Sequence, residues 1–516
     1  MTAELTPRIH AQHSPDRPAI VMGGTGEVTT FGELDDRSRR LAQFFRSRGL
    51  AEGDVIAILM ENNRQFLEVA WSAQRSGLHY TAINSHLRAA EVQYVLDDSG
   101  ATALITSTQM TSLINHLDLT RIPNRVCVGG GLDGFETYDE VLTSASGDVC
   151  EEREGREMLY SSGTTGRPKG VRKPVPGTSF GDPAAEPVRV AQGVAALGAG
   201  PGAVYLSPAP LYHAAPLVYS MSMHRVGATV VVMERFDPRE CLALIEQHRI
   251  THAQFVPTMF VRMLQLTREE RERYDLSSLG FAVHAGAPCP IGVKKQMLEW
   301  WGPIIFEYYS GTEGVGNTFI TPQEWLAHPG SVGQPAQECH IVGDDGAEVQ
   351  PGETGLVYFV GGMEFEYHND PEKTSSIANE KGWRTLGDIG HLDADGYLYL
   401  TDRKAHMIIS GGVNIYPQES ENVLCAHPQV ADAAVIGVPD DEMGEAVKAV
   451  VQLVDPAAAS PELAEDLLAY CRTELASYKC PRSVDFVSEL PRDDNGKLYK
   501  RLLRERYWEG HASLVV

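Results

Sequence analysis

The chain has 516 residues, 43% hydrophobic and 22% charged, a globular composition too long for one ordinary domain. Its formal net charge of −25 repels nucleic acid and anionic membrane surfaces, which excludes both as partners of the whole protein and leaves anionic substrates to local basic groups. The eight cysteines, at positions 127, 150, 241, 289, 339, 425, 471 and 480, lack the paired spacing of a metal site or a disulfide framework, so reduced and mostly buried thiols are expected.

The opening residues, MTAELTPRIHAQHSPDRP, lack the apolar core of a secretory signal. No run approaches the roughly 18 apolar residues of a membrane helix, so a soluble, cytoplasmic protein with no integral membrane segment is expected. Thr30 and Glu33 have capping-box spacing, and Leu34, Leu41 and Phe45 repeat at helical intervals up to Gly49, which predicts a helix. Residues 55–60 read as a buried strand, 66–76 as a helix and 80–84 as a second strand. The rhythm recurs at 90–96 with 103–106 and at 242–248 with 251–256, the alternation of parallel α/β layers. Residues 173–187, rich in Pro and Gly, read as an exposed loop, and the Arg-rich run near Arg271 as a solvated helix face. Beyond residue 402 the texture changes to a helix at 418–426, strands at 430–438 and 446–454, and a helix at 461–475. The expected fold class is therefore α/β. A large N-terminal domain of layered α/β subdomains, 1–402, is followed by a small mobile C-terminal α+β domain, 403–516.

Residues 160–171 read YSSGTTGRPKGV. Small side chains let backbone N–H groups approach anionic oxygens, the hydroxyls of Ser161, Ser162, Thr164 and Thr165 add donors, and Lys169 supplies a mobile positive charge. The string is not a Walker loop, because Pro168 precedes the lysine and Gly170 follows it. A Gly/Ser/Thr run alone would serve equally as a flexible surface loop, but the full string is much rarer. It resembles the signature of the adenylate-forming superfamily of acyl-CoA synthetases, aryl-CoA ligases, firefly luciferase and peptide-synthetase adenylation domains, and is most like the bacterial fatty-acid-type acyl-CoA synthetases. Further segments match that family in order from Phe31 to Lys497.

The resemblance implies a nucleotide site built along the chain. Ser161, Ser162, Gly163, Thr164, Thr165, Gly166 and Lys169 would hold phosphates, with Thr164 also acting in catalysis. Gly286, Ala287 and Pro288 would pass over the adenine. Glu307, Tyr308, Tyr309, Ser310, Gly311 and Thr312 would form the adenine segment, with Glu313 as the carboxylate for Mg²⁺ and a catalytic group. One of the two tyrosines could equally be plain core packing. Asp388 would hold the ribose hydroxyls, although Leu386 stands where the family usually has Thr, with Thr385 a substitute. Arg403 would contact ribose and phosphate. Lys404 and Ala405 occupy the family's hinge region. Gly411 and Gly412 would leave room for the pantetheine arm of CoA. Lys497, after a glycine turn, matches the catalytic lysine, which stabilises charge developing during adenylation.

His213 and His284 would border the acyl group, with Ala214, Ala215 and residues 221–223 leaving room for a bulky apolar body. The implied activity is an AMP-forming carboxylic acid:CoA ligase using ATP, Mg²⁺ and CoA. A medium- or long-chain fatty acid is the first choice of substrate. An aryl or steroid acid, or loading of a carrier protein, is the alternative, and a nucleotide-binding regulatory protein the non-enzyme alternative. The partners are then small molecules, and a homodimer is compatible with the sequence.

Overall fold

The computed structural model describes residues 5–146, 151–161, 168–440, 442–493 and 497–509. Among them, two large sheets carry the N-terminal part. The first has parallel strands Ile305–Ser310, Phe281–His284, His252–Phe255, Val204–Ser207, Thr229–Val232 and Pro18–Met22, in that order, with antiparallel strands at both edges. The second has parallel strands Arg156–Ser161, His79–Ala82, Val55–Leu59, Ala103–Ser107, Asn124–Val128 and Glu136–Thr137, with Lys169–Arg172 and Glu366–Tyr367 antiparallel beyond them.

The strands near 55 are buried at every position, as expected where helices cover both faces of a parallel sheet. Helices Phe31–Ser47, Arg64–Gln74 and Ala214–Arg225 lie between the two sheets, and Phe45, Phe66 and Met223 share one core with Ile58 of one sheet and Tyr205 of the other. The first of these helices starts at the expected capping box: the Thr30 hydroxyl accepts from the Glu33 amide and the Glu33 carboxylate from the Thr30 amide. Helices Pro238–Gln247, Pro257–Leu264 and Ile291–Trp301 cover the outer face of the first sheet.

The segment read as an exposed loop is a loop up to the helix Glu186–Ala196, but it is anchored rather than free. Phe180 is buried, and the Gly181 amide donates to the carboxylate of buried Glu154. A four-stranded antiparallel sheet follows, Cys339–Val342, Gly355–Phe359, Asp388–Leu392 and Leu398–Arg403. A short turn, Lys404–His406, leads from it to a separate sheet built on the long hairpin Val430–Asp440 and Gly444–Leu453, backed by helices Pro417–Cys425 and Pro461–Glu474. The fold is α/β with a large and a small part. Seven cysteines are free thiols, and among the described residues no helix is long and apolar enough to cross a membrane.

Candidate active site

Ser161 ends its strand opposite Lys169, which begins the antiparallel partner strand. Ser162, Gly163, Thr164, Thr165 and Gly166 lie outside the described residues. Lys169 is half-buried, with its ammonium 5.5 Å from the centre of the Tyr367 ring. Burial, aided by the like charge of Lys373, holds its pKa below that of a free lysine. The Tyr367 hydroxyl donates to Glu313 Oε1 at 2.9 Å. Lys169 and Glu313 come from different sheets and meet around this one tyrosine. A carboxylate offers about four acceptor sites, so Tyr367 leaves most of Glu313 open, and one carboxylate beside phosphate oxygens suits Mg²⁺.

Asp388 is buried and receives two side-chain bonds, one from the Tyr309 hydroxyl and one from Arg403 Nε at 3.0 Å. The pairing of strands Asp388–Leu392 and Leu398–Arg403 makes Asp388 and Arg403 direct neighbours. The charge of Asp388 raises the Arg403 pKa, while burial and Asp388 together push the Tyr309 phenol well above its ordinary value, so Arg403 stays a cation and Tyr309 a neutral phenol. Gly286, just past the strand Phe281–His284, is exposed with φ of 86°, a conformation that suits glycine, and Ala287 and Pro288 follow at the surface. A side chain at Gly311 would collide with Leu386, so the nucleotide segment and the segment before Asp388 run in close contact. Thr385 accepts from the Gly387 amide at 3.0 Å, which engages its hydroxyl in shaping that turn. Thr312 is half-buried, and exposed Ser310 donates to the Gly316 carbonyl at 3.2 Å.

Strand alternation places two of the expected contact residues together on one face. His284 and Glu307 are register partners, so both side chains point to the outer face of the sheet. There Lys294 donates to Glu307, His284 Nε2 lies 3.3 Å from the same carboxylate, and His284 packs edge-on to Phe260. The His284 ring is fully buried among these groups, and the Glu307 carboxylate is engaged with Lys294 beneath the nucleotide segment. Tyr308 points to the opposite face, where Gln254 Nε2 donates to its hydroxyl at 2.8 Å and burial pushes its pKa up to about 12. Only Tyr309 of the pair faces Asp388.

His213 is half-buried at the N-cap of the helix Ala214–Arg225, its ring 4.5 Å from that of Tyr212. The segment before it is pinned by a residue the sequence gave no reason to single out. Buried Asn62 accepts from the Leu211 amide at 2.8 Å and donates to the carbonyls of Met233 and Ala209, at 2.8 and 3.3 Å. Asn62→Ala should therefore lower unfolding stability by about 1–3 kcal/mol for each partner it strands, read as a lower denaturant midpoint at unchanged slope. Wild-type stability would remove Asn62 from this role. Tyr367 was equally unmarked, being one aromatic in an ordinary strand.

Lys497 lies close enough to Arg403, Glu313 and Asp388 for their charges to act on it. Its amide donates to the Asp493 carboxylate at 2.8 Å and its carbonyl accepts from the Asp493 amide at 3.0 Å, which fixes the backbone of Lys497. Burial holds its pKa below that of a free lysine. Gly411 and Gly412, with φ of 57° and 80°, form a tight exposed turn between strands Ile408–Ser410 and Val413–Ile415, and Ile409 and Val413 beside it are 41% and 44% exposed. Lys404 and Ala405 lie in the turn between the two parts of the fold. Just before it, the buried Asp402 carboxylate accepts from the Gln418 amide at 2.9 Å and lies 3.4 Å from His406.

Residues 8–364 match the AMP-binding enzyme family and residues 419–497 the AMP-binding enzyme C-terminal domain. The chain is 34% identical over 505 residues to a feruloyl-CoA synthase from Amycolatopsis sp, covering 96% of this chain and 97% of that protein. It is 32% identical over 512 residues to the long-chain-fatty-acid–CoA ligase FadD13 of Mycobacterium tuberculosis, covering 97% of each. Among solved structures, o-succinylbenzoate CoA synthetase (MenE) from Bacillus subtilis, in complex with its acyl-adenylate intermediate OSB-AMP, superposes with a TM-score of 0.80 at 28% identity over 97% of this chain and 98% of that one.

Proposed function

This chain belongs to the AMP-binding enzyme family and is an acid–thiol ligase, and on that premise we propose that it joins a ring-bearing or otherwise bulky carboxylic acid to CoA through an acyl-AMP intermediate. The observation that carries the reading is the convergence of Lys497, Arg403, Glu313 and Asp388 from three parts of the chain on one location beside Lys169. That set has the charges a nucleotide transfer needs and no other evident use.

In the first half-reaction the acid's carboxylate oxygen attacks the α-phosphorus of ATP and pyrophosphate leaves. Asp388 would accept from the ribose hydroxyls, with Tyr309 and Arg403 fixing its carboxylate. Lys169 and the hydroxyls of the glycine-rich segment would hold the polyphosphate. Mg²⁺, held by Glu313, would neutralise phosphate charge. Lys497 would stabilise charge gathering between the carboxylate and the α-phosphate, an electrostatic task that asks for a fixed cation. In the second half the CoA thiolate attacks the acyl carbon and AMP leaves. We propose residues 403–516 as the small domain that turns about Lys404 and Ala405 between the halves, withdrawing Lys497 and bringing the Gly411–Gly412 turn to the site. The apolar side chains flanking that turn would gain cover by this motion, which supports the assignment.

The test is incubation with ATP, Mg²⁺ and CoA across aliphatic, aromatic and polycyclic acids, following AMP and thioester. Acyl-AMP without thioester would redirect the reading to a carrier-protein acceptor. The two halves should also separate with pH. Because the Lys497 pKa lies below that of a free lysine, its charge is lost earlier as pH rises. Adenylation should thus decline on the alkaline side while thioester formation from supplied acyl-AMP, which gains from thiolate, continues. A shared alkaline limit would count against Lys497 in this role.

A further inference from the structure

Behind the strand that carries Tyr308 lies a group of buried polar atoms that the reaction above does not use. Tyr205, Ser207, Gln254 and Tyr308 occupy one face of the first sheet, because Tyr205 pairs with His252 and Gln254 with Val283, which itself pairs with Phe306. The helix Ala214–Arg225 covers that face and adds Tyr219 and Ser220. The Tyr205 and Tyr219 rings are 5.1 Å apart, Tyr205 lies against Ser207 and Ser220, and both phenols sense Tyr308. Tyr205, Ser207 and Ser220 are fully buried and Gln254 is nearly so. The Tyr205 hydroxyl lies within bonding reach of Ser207 and Ser220, while the buried Tyr219 hydroxyl and Gln254 carboxamide oxygen complete no hydrogen bond within the protein.

A buried polar group left unpaired costs more than an ordinary hydrogen bond contributes, and two of them beside a cluster of buried hydroxyls are not idle core. The cluster also lies in the right direction. In a parallel α/β sheet ligands enter at the C-terminal strand ends, the edge from which Ser310–Gly311 and the Pro210–His213 segment both leave their strands. Tyr219 is six residues along the helix from His213, about 9 Å at 1.5 Å per residue. Resting on the ligase reading above, we infer that the acid carries a hydroxyl or carbonyl oxygen on a ring, and that Tyr205, Tyr219, Ser220 and Gln254 bind that oxygen. The phenol rings give such a ring flat walls. An unsubstituted alkyl chain would leave the Tyr219 hydroxyl and the Gln254 oxygen unpaired, so the fatty acid favoured by the sequence gives way to the ring-bearing alternative.

The experiment compares kcat/KM of the intact enzyme, with ATP, Mg²⁺ and CoA, for 3-phenylpropanoate, 3-(4-hydroxyphenyl)propanoate and a straight-chain alkanoate of matching length. The hydroxylated acid should exceed the plain ring acid by about 100-fold or more, since a site built to bond a hydroxyl rejects the analogue that lacks one. Tyr219→Phe and, separately, Tyr205→Phe should each shrink that ratio about tenfold, an effect that poorer folding, acting on both acids alike, does not produce. A wild-type ratio near one, preference for the alkanoate, or ratios that neither variant moves would overturn the inference while leaving the ligase intact. Absence of thioester and of AMP with every acid would instead overturn the ligase reading, and the inference with it.

Discussion

Lys497→Ala is expected to slow acyl-AMP formation about 100- to 1,000-fold, the range seen when one preorganised donor to a developing negative charge is removed. The buried ammonium stands among Arg403, Glu313 and Asp388, and its backbone is held by Asp493, so little reorganisation is left for the moment of reaction. The same variant should turn supplied acyl-AMP and CoA into thioester at the wild-type rate, because no charge then has to be gathered at the α-phosphate. Single-turnover measurements of each half, by quenched flow and mass spectrometry, separate the two rates. Equal losses in both would remove Lys497 from the first step and with it the proposed turn of the small domain.

Asp388→Ala should behave in the opposite way, with both halves falling together by about 100-fold, or roughly 3 kcal/mol, the scale of a charge-assisted hydrogen-bond acceptor lost from a bound sugar. The nucleotide is present in both halves, as ATP and then as acyl-AMP, and on the proposed reading Asp388 would touch it throughout. The change also strands Tyr309 and Arg403, both of which donate to this carboxylate. Asp388→Asn keeps one acceptor oxygen and should recover part of the loss. A rise in the KM for ATP alongside normal thioester formation from supplied acyl-AMP would refute the ribose assignment.

The layered architecture was legible because its signals are local. The Thr30–Glu33 capping box, the apolar strand near 55 and the helix–strand rhythm depend on neighbours in sequence, and they fell within a few residues of the observed elements. The segment 173–187 was misjudged in its burial, since a Pro/Gly-rich composition gives no sign that Phe180 will find a core. In the site, positions on motifs were legible but side-chain directions were not. His284 and Glu307 stand on matching segments and point together to the outer face, because the register between two strands far apart in sequence decides which face each presents. Asn62 and Tyr367 act across long sequence separations, Asn62 on Leu211 and Tyr367 on Glu313, and no spacing in the chain announces such a contact.

On the strand Ile305–Ser310, adjacent tyrosines serve different masters: Tyr309 leans on Asp388, while Tyr308 turns to Gln254 on the other face. On the inference above, a lineage that replaced Tyr205 or Tyr219 would acquire a new acid while its nucleotide chemistry is inherited unaltered. The pleat of a single strand separates what is free to diverge from what is not.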